Sequence, residues 1–208
     1  MTAVRQIFIT ITGPSGSGKS TLSHELTKSG ICSALVSHTT RAIRQGEVDG
    51  KDYHFVSKED FMIKEHLEDF LECVEFSGNK YGVSKEEVGK ALALNRIPVL
   101  VVEPVGLRHI SDFCDEKDIH HIAIYLDGSL GVLVQRLLNR DLLSKTVTPE
   151  LVEYAARRIQ HLVSIELEWY NEFGYTNYYP HYDSGNQEAV LNTTLSNISI
   201  IRKDWQRG

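Results

Sequence analysis

Residues 13 to 20 read Gly-Pro-Ser-Gly-Ser-Gly-Lys-Ser and fill every fixed position of the pattern G-x-x-x-x-G-K-[ST]. A β-branched and aromatic run, "QIFITIT", precedes the motif and a helix-like segment follows it, which is the context the pattern requires. Gly13, Gly16 and Gly18 let the backbone curl so that several N–H groups face one anion, and the helix N-terminus adds its partial positive charge. Pro14, Ser15 and Ser17 complete the loop, Lys19 is placed to reach terminal phosphates, and Ser20, with Thr21 beside it, offers a hydroxyl to Mg2+. The chemistry implied is the binding of a nucleoside triphosphate with magnesium. Such a motif fixes a phosphoryl donor and leaves the acceptor open, so a second anion site must hold an acceptor oxygen in line.

A second cationic stretch, "SHTTRAIRQGEVDGKDYHF", spans residues 37 to 55. Arg41 and Arg44 lie three apart, directly after Thr39 and Thr40, where the composition turns polar and glycine-spaced. Two guanidiniums at this spacing can form forked hydrogen bonds to separate oxygens of one phosphate, which lysines would do less rigidly. Ser37 and Tyr53 would add neutral hydroxyl donors. A surface arginine pair by itself is commonly a solvated charge; the phosphate loop upstream favours the clamp. Overall charge agrees, since 28 acidic against 22 basic residues give a net −6, which suits arginines aimed at one small anion and disfavours a broad nucleic-acid-binding face.

Length and composition set the frame for these sites. At 208 residues the chain can bury a full core and suggests one domain, or one with a sizeable insertion. Its three cysteines, Cys32, Cys73 and Cys114, are odd in number and lack C-x-x-C spacing, so free thiols in a reducing compartment are expected. The opening residues are too short and polar for a signal peptide and no apolar run is long enough to span a membrane, so a soluble cytoplasmic protein without membrane or nucleic-acid partners is expected. Nine histidines show no H-x-x-x-H arrangement, which argues against a transition-metal site. The aromatic segment "IELEWYNEFGYTNYY" reads as helix packing and strand core, with a homo-oligomer contact as the alternative.

Stepping along the chain, strands are predicted at "QIFITIT", "CSALVS", "DYHFV", "FLECVEF", "VLVVE", "IHHIAIYL" and "NYYPHY". A helix follows the glycine-rich loop and ends at Gly30; others open at Ser57 with Asp60 and at Ser84 with Glu87, the latter stopped by "NRIP". "SGNKYG" is expected to be a turn, and residues 37 to 52 a loop. "GLRHISDFCDEKD" can form a crossover helix, one helix runs from after Asp127 to about Arg140, and a long one from Thr148 and Pro149 to about Phe173. A closing helix ends the chain. Strands alternating with helices imply an α/β fold of three layers around a mainly parallel sheet, and the closely spaced strands from Ser37 to about Ala93 suggest an inserted subdomain.

The sequence resembles the guanylate kinases, nucleoside monophosphate kinases that move a phosphoryl group from ATP to GMP. The resemblance rests on "GPSGSGKSTL", "SHTTRAIRQGEVDGKDYHFV" and "FLECVEFSGNKYG", in that order; it covers residues 6 to 106 closely and the rest through its pattern of elements. It implies a P-loop NTPase core over residues 1–36 and 94–208, an inserted mixed α+β GMP-binding subdomain over 37–93, and a helical lid over 137–155. It also implies ATP with Mg2+ and GMP or dGMP as substrates, and a place in purine nucleotide metabolism. Ser37, Arg41, Arg44, Tyr53 and Tyr81 match positions that hold the acceptor's phosphate, and Glu72 matches the carboxylate that reads guanine. That role is chemically sensible, because a carboxylate offers two coplanar acceptors to the N1–H and N2–H2 donors of guanine, whereas adenine presents a lone pair there. Arg136 and Arg140, four apart on one predicted helix, are set ahead of Arg158 as lid arginines acting on the transferred group.

The chain departs from the family pattern where the base is read and the lid gates. Val83 stands where a small hydroxyl residue usually donates to the guanine O6, leaving Ser84 or a backbone N–H to replace it. The family's D-x-D-x-Q-G reads Val101-Val-Glu-Pro-Val-Gly106, so only Glu103 keeps a carboxylate, to hold magnesium through water or contact the acceptor. Asp141 replaces the glycine after the lid arginine. Three functions are weighed: a guanylate kinase; a monophosphate kinase with another acceptor base; and a non-catalytic protein-binding scaffold, disfavoured because Lys19 and Ser20 are retained.

Overall fold

Ile7–Thr12 forms strand β1 because all six residues are β-branched or aromatic, and all six are buried, as in a strand covered on both faces. The computed structural model describes residues 6–44, 46–76, 78–142, 146–169, 181–183 and 186–207. The glycine-rich loop leads from β1 into helix α1, Lys19–Lys28, and then to β2, Cys32–Ala34. Short strands β3, His38–Thr39, and β4, His54–Phe55, come next, then helix α2, Lys58–His66, and strands β5, Phe70–Phe76, and β6, Asn79–Ser84. Helix α3, Lys85–Ala93, is followed by β7, Ile97–Val101, α4, Pro104–Glu116, and β8, His120–Asp127. Beyond these lie α5, Leu130–Leu142, α6, Pro149–Ser164, a 3-10 turn at Glu166–Glu168, β9, His181–Asp183, and α7, Gln187–Arg207.

These elements form two sheets: five strands in the order β2-β7-β1-β8-β9 and four in the order β4-β3-β6-β5. In the larger sheet β2 runs parallel to β7, with Cys32 opposite Ile97, and β8 parallel to β9, with Tyr125 opposite His181. Helices between parallel strands make this the α/β fold expected from the alternation. The smaller sheet is mixed: β3 is parallel to β4 and antiparallel to β6, and β6 is antiparallel to β5. The chain divides into two compact units, one of the described residues within Met1–Thr10 and Ser23–Ile122, the other within Ile11–Leu22 and Ala123–Gly208. Both β1 and β8 continue from the first unit into the second.

In the first unit α4 buries Leu107, Ile110 and Cys114, the spacing of one helical stripe, and packs on β5. Thr10 Oγ1 and His121 Nε2 lie 2.8 Å apart, which pairs a buried hydroxyl with a half-buried imidazole, and desolvation pushes His121 down to about 4. The second unit has a small apolar cluster of Leu133 and Leu137 on α5 with Leu162 on α6.

Ser57, Ser84 and Thr148 cap α2, α3 and α6 with their hydroxyls, as their positions predict. Elsewhere the chain differs from expectation. Most of the predicted turn "SGNKYG" is strand β6, which no alternation announces because its stability comes from being flanked by β3 and β5. The same pairing draws His38 and Thr39 out of the predicted loop. Helix α3 ends at Ala93, and Asn95 just beyond its cap has a φ of +52°, the left-handed conformation of a helix end, while Pro98 already belongs to β7 opposite Ser33. Helix α6 ends at Ser164, short of the predicted Phe173. Residues 170–173 of that prediction, 177–180 of the last strand and 143–145 of the lid lie outside the described residues.

Candidate active site

The glycine-rich loop is held open by its own backbone and by side chains from far along the chain. Gly13 has a φ of +138°, and a Cβ there would meet the Leu126 carbonyl oxygen at 2.1 Å, so only glycine fits between strand and loop. Lys19 Nζ donates to the carbonyls of Gly13 at 2.7 Å and Pro14 at 3.0 Å, lying across the loop it follows. Ser17 is buried, its N–H donating to the Pro14 carbonyl, and Gly18 accepts from Leu22 N–H as α1 begins. Ser20 and Thr21 are exposed in the first turn of α1.

Arg136 on α5 donates through Nη1 to the Gly16 carbonyl at 3.0 Å, and Arg158 on α6 donates through Nη2 to Ser15 Oγ at 2.8 Å. Arg140 instead turns Nε to Asp141 Oδ1 at 3.0 Å, with Asp141 itself buried. Of the three lid arginines named from sequence, Arg136 and Arg158 therefore touch the loop, while the order of preference had placed Arg140 ahead of Arg158. Glu166, in the 3-10 turn, was not singled out from sequence: its Oε2 accepts from Ser15 N–H and its Oε1 from Ser15 Oγ–H. No helical or strand spacing points to it, because it lies 151 residues from its partner.

In the first unit the arginine-bearing loop is ordered by threonines and acids. Thr39 Oγ1 donates to the Lys80 carbonyl and accepts from Arg41 N–H, while Thr40 Oγ1 accepts from Lys80 N–H, so the loop is stitched to β6. Arg41 Nη2 meets both oxygens of Glu47, at 2.8 and 3.0 Å, and its guanidinium lies over Tyr53 and Phe55, 5.4 and 5.6 Å from their ring centroids. Glu47 also accepts from the Arg44 N–H. Burial is the largest influence on Glu47 and raises its pKa, yet the bonds from Arg41 and from the Arg44 amide hold it below the ordinary carboxylate range. Asp49 and Asp52 accept from the Phe55 and Val48 amides. The acidic residues after the arginines thus build the loop that carries them; their signal in sequence was the glycine-spaced acidic run itself.

Around that loop, Ser37 is half-buried just before β3, its carbonyl accepting from His54 N–H, and Arg44 is half-buried too. Tyr53 and Tyr81 stand edge to face, 6.0 Å apart, and burial, then the neighbouring Tyr81, pushes Tyr53 up to about 12, so its hydroxyl keeps its proton. Glu72 on β5 is 6% exposed and lies in register with Val83 on β6, itself fully buried. Its Oε2 has no hydrogen-bond partner among the described residues, and a Cβ on Gly106 would come within 2.7 Å of that oxygen. Burial first, and then the charge of Glu103 at the start of α4, pushes Glu72 up to about 7. Ser84 follows Val83 on the opposite face of β6, and its Oγ accepts from Glu87 N–H as the cap of α3. Chemically, Glu72 offers a buried planar acceptor to a ligand with N–H donors. No three His, Cys, Asp or Glu side chains among the described residues group as a metal site.

Residues 5–168 match the family model described as guanylate kinase. Guanylate kinases of Sus scrofa and Homo sapiens are each 46% identical over 136 residues, which cover 64% of this chain and 67% of theirs. That of Hahella chejuensis is 34% identical over 168 residues, 80% of this chain and 79% of its own. Among solved structures, the guanylate kinase from Anaplasma phagocytophilum shares the fold with a TM-score of 0.64 at 22% identity, covering 96% of this chain and 87% of that one. With its phosphate loop, its mixed second sheet and a family match that runs through both, the chain belongs to the guanylate kinase family of phosphotransferases.

Proposed function

We propose that this chain transfers the terminal phosphoryl group of Mg·ATP to the phosphate of GMP, and of dGMP, giving ADP and the diphosphate. The observation that carries the reading is Glu72, a buried carboxyl with one unmet acceptor oxygen in the same unit as the arginine loop. Guanine supplies the N1–H and N2–H2 donors that such a carboxylate lacks, and adenine would leave it desolvated and unpaired. Ser37, Arg41, Arg44, Tyr53 and Tyr81 would hold the acceptor's phosphate, and Glu103 would stand behind the base. Lys19 and the loop amides would hold the triphosphate, with Arg136 and Arg158 on the transferred group and Arg140 outside them. The acceptor oxygen forms a bond to the γ-phosphorus while the bond from that phosphorus to the β,γ-bridging oxygen breaks, releasing ADP. No general base is needed, because a monophosphate oxygen is already nucleophilic at neutral pH.

The donor set fits magnesium carried in by the nucleotide: Ser20 presents an exposed hydroxyl at the start of α1, and Mg2+ ordinarily takes one or two protein oxygens beside phosphates and water. When bound it would supply charge neutralisation on the phosphates. Three free thiols, Cys32, Cys73 and Cys114, support a reducing compartment, and we place the chain in the cytoplasm, in purine nucleotide metabolism. No helix of the described residues is long and apolar enough to cross a membrane.

A second reading, a monophosphate kinase with another acceptor base, is favoured by one observation: Val83, opposite Glu72, brings no donor for a 6-oxo group. A coupled ADP-release assay with Mg·ATP against GMP, dGMP, IMP, AMP, CMP, UMP and dTMP decides between the two. GMP and dGMP should lead by a wide margin; a lead for another base establishes the second reading, and turnover of none would leave a binding scaffold. Lys19→Ala should abolish turnover without unfolding the chain.

A further inference from the structure

We propose that Glu166 is the positioning residue of the phosphate loop, and that through the Ser15 hydroxyl it also sets the place of Arg158. The inference rests on the reading of that loop as the ATP site and adds to it a residue that no loop motif contains. Arg158 Nη2 donates to Ser15 Oγ at 2.8 Å, and Ser15 Oγ–H donates onward to Glu166 Oε1 at 3.1 Å. The hydroxyl is thus a one-atom bridge between a cation and an anion, with its direction fixed because an ionised carboxylate only accepts. Ser15 N–H goes to Glu166 Oε2, so the carboxylate grips both backbone and side chain of the third loop residue. His161 Nδ1, 3.0 Å from Oε1, completes the shell of an anion that is fully buried.

A buried carboxylate beside an anion-binding loop is an electrostatic liability. It repels the triphosphate and loses its own hydration, and it is retained only where its hydrogen bonds secure something of comparable value. Here they hold the curl of the loop before any nucleotide arrives, and they keep Arg158 at its edge. Arg158 Nε is buried with no hydrogen-bond partner among the described residues, so the guanidinium is held here through Nη2 and the Ser15 hydroxyl. Loop curl and arginine placement are therefore one unit, tied together at Ser15. Removing Glu166 frees both, and the loss falls on the triphosphate and not on the monophosphate.

The test compares Glu166→Ala and Glu166→Gln in the full chain, reading KM for Mg·ATP against KM for GMP. Glutamine keeps one acceptor oxygen for Ser15 N–H, while Ser15 Oγ and His161 can reverse roles to accept from its amide. Alanine should raise the ATP-to-GMP ratio of KM values about tenfold, the loss of hydrogen bonds to a charged group, and glutamine should restore it to within about threefold. Equal rises in both KM values, an unchanged ratio, or glutamine as damaging as alanine overturns the proposal. If Glu166→Ala does not fold, Ser15→Ala removes the bridge alone and must raise the same ratio about threefold; no change overturns the proposal as well. Titration of wild type with Mg·ATP comes first, since failure to bind would sink the ATP-site reading itself, independently of Glu166.

Discussion

Replacing Glu72 by glutamine should make the ligand-free protein more stable at neutral pH while removing its preference for guanine. In the folded chain burial and the Glu103 charge move the Glu72 carboxyl from an ordinary 4.5 to about 7. The folded state therefore holds this proton more tightly than the unfolded state does. Its contribution to stability is complete below about pH 4.5, falls as pH rises, and is lost above about pH 7, a change of about 3 kcal/mol at most. Glutamine has the same shape and does not titrate, so the difference in unfolding free energy between wild type and Glu72→Gln should shrink or reverse across that window. Subtraction also cancels His38 and His121, which burial pushes down to about 4 and whose stability runs the other way, lost as pH falls below 6.5. Urea unfolding of both proteins at pH 5, 6, 7 and 8, without nucleotide, reads the difference directly. A difference that stays constant from pH 5 to 8 would refute the claim that Glu72 is held as a strained acceptor. In wild type, GMP should bind more weakly below pH 7, because a proton then competes with guanine N1–H for the carboxylate.

Three further outcomes follow from the acceptor side. Glu47→Gln removes the charge from a bidentate partner of Arg41, and KM for GMP should rise about threefold to tenfold with KM for ATP unmoved; equal effects would mean that the loop merely unfolds. Val83→Ser places a hydroxyl opposite Glu72 and should raise the GMP-to-AMP ratio of kcat/KM, at roughly 1 to 2 kcal/mol of stability for the cavity; an unchanged ratio excludes this side chain from base reading. Gly106→Ala sets a methyl within 2.7 Å of Glu72 Oε2, the end of a side chain that must swing aside, so GMP binding should weaken and thermal unfolding should show a loss of at most about 1 to 3 kcal/mol; wild-type GMP binding would show that the Glu72 carboxyl keeps its place.

What the sequence makes legible is what lies close in the chain. Residues 13 to 20 announce themselves because the loop's curl is made by consecutive residues, and the helix caps at Ser57, Ser84 and Thr148 are equally local. Strand β6 was illegible since "NKYGVS" carries no period of its own and is a strand by virtue of two neighbours. Arg158 and Glu166 reach Ser15 across 143 and 151 residues, and no spacing rule operates at that range. Arg140 shares a predicted helix face with Arg136, but periodicity does not say that Asp141 will claim its guanidinium. Glu47 was visible as one acid among several, and only the fold of the loop shows which arginine it serves.

Glu47 also means that the arginine loop brings its own counter-ion. An anion site lined only with cations is pushed apart by its own charge when empty and takes any passing anion. Here the charge of Arg41 is already balanced by a tethered carboxylate, with Tyr53 and Phe55 beneath it, so the guanidinium carries its own counter-charge. On the reading proposed above, Arg41 is thereby set in place before a phosphate arrives, and the loop is spared the repulsion of uncompensated cations. On that reading an acidic residue readies a cationic loop for its ligand.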